Sequence, residues 1–167
     1  MKKSCMTAVI AAFFLFISIG MQAQTTPMQL DQLKLMEQFL GNWQLNEGKD
    51  TFLVAEIEKY GKAFVEHAYL NINGKESQQM GMYSYSFSSK EGKFKVFELM
   101  ANGSYLTMLA SFTTEKKFCA DIVQDFNPEK VFMKMEFVFE TPTNMTVIQF
   151  SPDGIKRGEY KYTKINK

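Results

Sequence analysis

Hydrophobic and polar positions alternate along most of the chain after residue 42. The clearest case is Val131–Glu140, where every second residue is apolar and Lys134 and Glu136 fall between the apolar positions. This period of two indicates a β-strand with one buried face and one face in water. The segments Leu106–Phe112 and Arg157–Tyr162 show the same alternation.

Ten segments of this kind follow one another with no repeat or linker between them. The turn signals between them include Asn73-Gly74, Asn102-Gly103, Asp153-Gly154 and Asn127-Pro128-Glu129-Lys130. Asn-Gly and Asp-Gly favour hairpins, and connections this short exclude crossover helices, so consecutive strands are predicted to be antiparallel. The predicted strands are Trp43–Glu47, Thr51–Tyr60, Phe64–Ile72, Gln78–Phe87, Phe94–Met100, Tyr105–Thr113, Phe118–Gln124, Val131–Glu140, Met145–Phe150 and Arg157–Ile165.

A helical period is convincing only ahead of the first strand. Thr26-Pro27-Met28-Gln29 has the form of a capping box with proline at the first helical position, and Gly41 ends the pattern. We predict one short helix here, with an apolar stripe that covers part of the strands. The stripe consists of Leu30, Leu33, Met36 and Leu40.

Ten hairpin-linked strands in an open sheet would leave two unpaired edges, which closure into a barrel removes. We therefore predict an all-β fold: an antiparallel up-and-down barrel of about ten strands preceded by one short N-terminal helix. Barrels of about eight strands are filled or hold one small ligand, and wider ones leave more room, so the strand count favours a cavity. The alternative is a two-sheet sandwich with a packed core.

The N-terminus has the order of a secretory signal. Lys2 and Lys3 precede the apolar run Met6–Ile19, and the chain then becomes polar. The run is shorter than the roughly 18 residues typical of a spanning helix. We expect residues 1–23 to be a signal peptide and residues 24–167 to form one exported barrel domain, periplasmic or secreted, without stable membrane insertion. An uncleaved N-terminal anchor is the alternative.

The cysteines and the net charge limit the possible anchors, disulfides and partners. Cys5 lies before the apolar run, so it would leave with the signal and could not carry a lipid anchor. Cys119 then remains alone, which excludes an intramolecular disulfide; its apolar neighbours suggest a buried, inert thiol. The formal net charge of +1 falls by two when Lys2 and Lys3 are removed. Without a basic surplus, nucleic acid is not an expected partner.

The segment Phe39-Leu40-Gly41-Asn42-Trp43 places Gly-x-Trp at the start of the first strand, just after the short helix. It resembles the signature of lipocalins and the wider calycin group. The resemblance implies that Trp43 packs at the closed end of the barrel near a basic residue of the last strand, for which Arg157 is the candidate. Gly81–Tyr85 and Glu91–Phe94 further resemble a family of small bacterial secreted lipocalin-like proteins of unassigned function.

The chain also departs from these relatives. The second lipocalin signature, Thr-Asp-Tyr, is absent, and the strand count is closer to that of intracellular fatty-acid carriers and nitrobindins. Fatty-acid carriers hold a carboxylate with Arg-x-Tyr on the last strand, whereas Arg157 and Tyr160 are three apart and fall on opposite faces. A nitrobindin-like haem site would need a histidine near the C-terminal strands, which hold none.

Residues that could carry chemistry are few. His67, the only histidine, could be a haem ligand or a general base, or simply a hydrogen-bonded strand residue. One histidine and Cys119 far apart give no metal-ligand spacing, and no nucleophile motif is present. Asp121 and Asp125 could pair with Glu66 for acid–base chemistry, although such carboxylates usually face solvent. We expect no cofactor, no metal and no catalysis.

Methionine recurs in the predicted strands, at Met80, Met82, Met100, Met108, Met133 and Met135. Unbranched thioethers suit an interior that accepts variable apolar shapes, and they also fill gaps in an ordinary core. We expect a binding protein that carries or senses a hydrophobic small molecule. The alternatives are a small isomerase or hydrolase that uses His67 with a nearby carboxylate, and a filled barrel that serves as an envelope interaction module. The predicted cavity residues are Leu106, Met108, Phe112, Met133, Met135, Phe137, Phe139, Tyr160 and Tyr162, and the predicted structural motif is Gly41, Trp43 and Arg157.

Overall fold

A computed structural model of the chain describes residues 30–48, 50–72 and 78–165. The expected signal peptide, residues 1–23, lies outside the described residues. Helix α1 spans Gln32–Met36 and continues into a 3₁₀ helix, Glu37–Phe39. The strands are β1 (Gly41–Gly48), β2 (Thr51–Tyr60), β3 (Ala63–Ile72), β4 (Gln78–Ser88), β5 (Lys93–Met100), β6 (Tyr105–Thr114), β7 (Lys117–Gln124), β8 (Asn127–Thr141), β9 (Asn144–Phe150) and β10 (Lys156–Ile165).

The ten strands close into one antiparallel barrel. Each strand pairs with its neighbours in sequence, and β1 completes the ring by pairing with β10, where Trp43 lies opposite Lys164. The predicted up-and-down barrel with a short preceding helix is confirmed, and the sandwich alternative is wrong. Closure gives every strand two partners, so the described strands present no unpaired edge. Neither described helix is long and apolar enough to cross a membrane.

The helices close one end of the barrel. They lead directly into β1, so they lie at the end of the barrel where β1 begins. Because consecutive strands alternate in direction, the hairpin between β6 and β7 lies at the same end. Gln32 reaches that end: its Nε2 donates to the backbone oxygen of Phe112 at 3.1 Å, and its Oε1 accepts from the Phe112 backbone nitrogen at 2.7 Å. Gln38 Nε2 donates to the backbone oxygen of Glu115 at 2.8 Å. These three hydrogen bonds tie the helical segment to the barrel rim.

Helix α1 begins later than predicted. The capping box proposed at residues 26–29 lies outside the described residues, and Leu30 and Asp31 are not helical. The helix begins at Gln32, because the Asp31 carboxylate accepts a hydrogen bond from the Lys34 backbone nitrogen at 3.1 Å. Asp31 is therefore the N-cap, a position that Asp occupies readily.

The buried stripe of the helical segment agrees with the prediction except at Leu33. Met36 is buried and Leu30 and Leu40 pack against the core, whereas Leu33 is 38% exposed and Phe39, which the pattern did not predict, is buried. The 3₁₀ segment explains the burial of Phe39, because its three residues per turn place Met36 and Phe39 on one face.

Phe39 lies at the centre of an aromatic cluster that fills the closed end. Its ring centroid is 4.8 Å from that of Phe139, 5.2 Å from Phe118, 5.7 Å from Phe137 and 6.1 Å from Phe112. Three of these pairs meet edge to face, the arrangement that aromatic quadrupoles favour. We refer to these five residues as the aromatic cluster.

Trp43 is fully buried next to this cluster. Its Nε1 donates to the backbone oxygen of Phe39 at 2.7 Å, and Lys164 Nζ lies 4.8 Å from its ring centroid. The choice of Arg157 as the basic neighbour of Trp43 is wrong: Arg157 is exposed at the start of β10, and it is the other end of β10 that pairs with the start of β1. Gly41 enters β1 with φ of +108°, where a side chain would be strained.

The buried indole hydrogen bond gives a first testable prediction. Trp43→Phe removes the donor and leaves the Phe39 carbonyl without it, so we expect the free energy of unfolding to fall by about 1–3 kcal/mol. Urea titration followed by circular dichroism measures this. Lys164→Met removes the half-buried cation above the ring and its long hydrogen bond to the Gln38 backbone oxygen at 3.3 Å, which together should cost about 1 kcal/mol or less. An equal or larger loss in Lys164→Met would contradict the prediction.

Strand β8 is longer than predicted. It begins at Asn127, so the turn predicted at Asn127–Lys130 is wrong. The chain reverses instead at Asp125-Phe126, both with positive φ, as mirror-image hairpin turns require. The register between β7 and β8 shifts just after the turn, and such a bulge accommodates Pro128. The other strands match the prediction to within two residues at each end.

Candidate functional site

A cavity of about 460 Å³ occupies the barrel between the aromatic cluster and the end opposite the helices. Phe118 and Phe137 of the cluster form part of its floor. Its mouth lies at the ends of the strands away from the helices, where Glu47 and Met80 are exposed. The volume lies within the range typical of small-molecule sites.

Most of the predicted cavity residues line this cavity, but two do not. Phe112 and Phe139 belong to the aromatic cluster, because they lie at the helix ends of β6 and β8. Alternation along a strand identifies the inward face but not the depth along the barrel. The predicted residues that line the cavity are Leu106, Met108, Met133, Met135, Phe137, Tyr160 and Tyr162.

Flexible thioethers make up much of the cavity wall. Met82 does not line the cavity. Its neighbours Gly81 and Tyr83 do, so Met82 lies on the outer face of β4. Side chains of this kind adapt to differently shaped apolar groups. The methionines that line the cavity are Met80, Met100, Met108, Met133 and Met135.

Glu66, Tyr83 and Glu98 form a polar row across the otherwise apolar wall. They lie on β3, β4 and β5, and the strand register pairs Tyr83 with Glu66 on one side and with Glu98 on the other. Tyr85 Oη donates to Glu66 Oε2 at 2.5 Å, and Tyr83 lies beside Glu98 on the neighbouring strand. The Tyr85 hydroxyl therefore holds the Glu66 carboxyl group in place.

Burial controls the ionisation of this row. It raises the pKa of Glu66 to about 7; the hydrogen bond from Tyr85 opposes this rise and the nearby Glu98 adds to it. Burial also raises the pKa of Glu98, against the hydrogen bond from Tyr83. The pKa values of Tyr83 and Tyr85 rise above the usual value for tyrosine, mainly through burial, so both phenols stay neutral donors. Near neutral pH, Glu66 is divided between its protonated and ionised forms.

The charged residues around the cavity are all acidic. Glu66 and Glu98 lie in its wall and Glu47 near its mouth, and no lysine, arginine or histidine is found among the described residues that line it. The wall therefore offers hydrogen-bond acceptors and negative charge but no cation. Its other polar residues are Tyr83, Tyr85, Gln149, Tyr160 and Tyr162.

His67 does not line the cavity. It lies on the outer face of β3, between Glu66 and Ala68, which both face inward. Its ring is stacked with that of Tyr69 at 6.4 Å, and its Nδ1 is buried without a hydrogen-bond partner among the described residues. The hypothesis that His67 works inside the barrel with a nearby carboxylate is therefore wrong.

The other candidate groups are also outside the cavity. Asp121 alternates with the inward-facing residues of β7, and Asp125 accepts a hydrogen bond from Tyr105 Oη at 2.9 Å in a turn, so neither meets Glu66. Cys119 is half-buried on the outer face of β7, not buried in the core as expected. The described part of the chain contains no group of three potential metal-binding His, Cys, Asp or Glu residues.

The sequence pattern did not identify Glu98, Tyr83 and Tyr85 as site residues. One signal was present, because Glu98 follows Phe94 and Val96 in the same inward phase of a strand. An acidic residue at a core-facing position is costly unless it has a partner or a role, so it marks a candidate site.

Comparison with known proteins adds no family. No protein-family model matches the chain, and a search of curated proteins gives no match. What the structure shows is therefore the closed ten-stranded antiparallel barrel itself. Such a barrel is compatible with ligand binding.

Proposed function

We propose that this protein binds a hydrophobic small molecule inside the barrel, as an exported lipocalin-like carrier or sensor without chemistry. The observation that carries the proposal is the cavity of about 460 Å³, lined mostly by apolar side chains and open at one end. A filled barrel would leave no such space, which favours ligand binding over the interaction-module alternative. Support for export comes from the sequence pattern of residues 1–23.

Transfer of the ligand's apolar surface from water into the cavity supplies the driving force for such binding. Each Å² of apolar ligand surface removed from water contributes about 25 cal/mol, before the cost of immobilising the ligand. Because thioethers repack easily, the methionine-rich wall can accommodate ligands of different shapes. We therefore expect tolerance for several apolar bodies of similar size.

Filling the cavity tests the proposal. Met133 faces the cavity, whereas its neighbour Phe132 is 58% exposed on the outer face of β8. We expect Met133→Trp to weaken binding of the neutral dye N-phenyl-1-naphthylamine by about tenfold or more, because the larger ring occupies ligand space. Dye fluorescence titration gives the Kd of each protein.

Phe132→Trp is the matched control, since it adds the same ring on the opposite face of the same strand. It should leave the Kd within about twofold of the parent value. If the dye does not bind the parent saturably, or if both variants bind it equally well, the cavity is not the binding site.

A further inference from the structure

Two carboxyl groups lie on one side of the cavity wall. The polar row of Glu66, Tyr83 and Glu98 lies on three adjacent strands, and most of the residues around it are apolar. Tyr85 donates a hydrogen bond to Glu66 Oε2, and the Glu66 carboxyl group lines the open cavity. Because a carboxylate has about four lone-pair sites, Glu66 can accept further hydrogen bonds from a ligand.

We propose that the cavity selects amphiphilic amines, whose apolar tail fills the barrel while the ammonium group binds between Glu66 and Glu98. This inference rests on the function proposed above and names the ligand class of the same site. It makes the two glutamates head-group acceptors and assigns the methionine-rich wall to the tail.

Charge favours an ammonium group over a carboxylate. An ammonium placed between two carboxylates is attracted by both, and the interaction is stronger inside the barrel than in water. A fatty-acid carboxylate would meet Glu66 and Glu98 with no cation in the described lining to offset the repulsion. A neutral alcohol could donate one hydrogen bond to the row but would gain no charge pairing.

Two further features suit a cationic head group. The rings of Tyr83 and Tyr85 line the cavity beside the glutamates, with centroids 6.5 Å apart, so aromatic surface adjoins the proposed position of the ammonium group. Gly81 keeps space open beside Glu98: a Cβ there would lie 3.9 Å from Glu98 Oε1 and only 3.1 Å from the Leu99 carbonyl oxygen.

A set of ligands that share one tail tests the inference. Dodecylamine, dodecanol and dodecanoate, below their micelle concentrations, compete with N-phenyl-1-naphthylamine for the purified protein at pH 8.5. At this pH alkylammonium groups and carboxylates both carry charge. We expect dodecylamine to bind about tenfold or more tightly than dodecanoate, with dodecanol between them.

Single isosteric variants identify the acceptors. Glu66→Gln and Glu98→Gln should each weaken dodecylamine binding by about fivefold or more and leave dodecanol within about twofold. Glu58→Gln, an exposed change on the adjacent β2, is the charge-matched control and should change neither affinity. Because either variant alone suffices, misfolding of one does not remove the test.

The outcomes separate the two proposals. If the dye and dodecanol bind but dodecylamine has no advantage over dodecanoate, the amine inference fails and the apolar cavity function stands. The inference also fails if the amine preference persists in both glutamine variants. If neither the dye nor any of the three ligands binds, both proposals fail together.

Discussion

Phe39→Ala is expected to lower the free energy of unfolding by about 3–5 kcal/mol, the usual cost of deleting a buried phenyl group. The Phe39 side chain is 3% exposed, and its ring contacts four other phenylalanines at the closed end of the barrel. Removing it therefore discards both transfer free energy and edge-to-face contacts, and the surrounding rings can relax into the space only in part. Chemical denaturation followed by circular dichroism measures the loss.

The same helical segment provides the control for Phe39→Ala. Leu33 is 38% exposed on α1, so Leu33→Ala should change the free energy of unfolding by less than about 1 kcal/mol. Phe39→Leu keeps part of the apolar volume and should fall between these two values, which preserves a folded protein for comparison. Similar losses in Phe39→Ala and Leu33→Ala would show that the aromatic cluster does not hold the closed end together.

The consequence of Phe39→Ala reaches the cavity. Phe118 and Phe137 belong to the aromatic cluster and also form part of the cavity floor. A void beneath them would let these rings shift, so the floor of the cavity depends on the residue that closes the barrel. The proposed ligand binding would then be coupled to stability through these two rings.

The strands could be predicted because their signal is local. A period of two is visible within a single segment such as Val131–Glu140, and short polar turns between segments imply antiparallel neighbours. Closure then follows from the need to pair the two edges. The turn before β8 was misplaced because Asn127-Pro128 has typical turn composition, whereas the real turn places Phe126 at φ of +59°, a conformation that bulky residues rarely adopt.

The site was harder to predict because it depends on register. Glu66, Tyr83 and Glu98 meet only because β3, β4 and β5 align at that level, and no segment of the sequence contains this information. The neighbour of Trp43 was missed for the same reason: β10 carries four basic residues, and pairing with β1 selects Lys164 rather than Arg157. The alternation correctly predicted which residues face inward. How deep each residue lies along the barrel depends on the register of the closed sheet, which the alternation does not contain.

Ionisation of Glu66 is expected to destabilise the protein as the pH rises through neutrality. Its pKa is about 7 in the folded state against an ordinary value of 4.5. The protonated carboxyl contributes up to about 3 kcal/mol to the free energy of unfolding. This contribution is complete below pH 4.5 and is lost as the pH rises through about 7. Glu66→Gln mimics the neutral form and keeps an acceptor for Tyr85, so above pH 8 this variant should be the more stable protein.

Denaturation midpoints between pH 4 and 9 test this expectation. The parent protein should lose stability across the range relative to Glu66→Gln, and the two curves should converge near pH 4. Glu58→Gln, on the exposed part of β2, should follow the parent curve. Glu98→Gln should move the loss to lower pH, because Glu98 contributes to the raised pKa of Glu66. Parallel curves for the parent and Glu66→Gln would mean that Glu66 is already solvated in the folded protein, and the cavity would then be wet at the polar row.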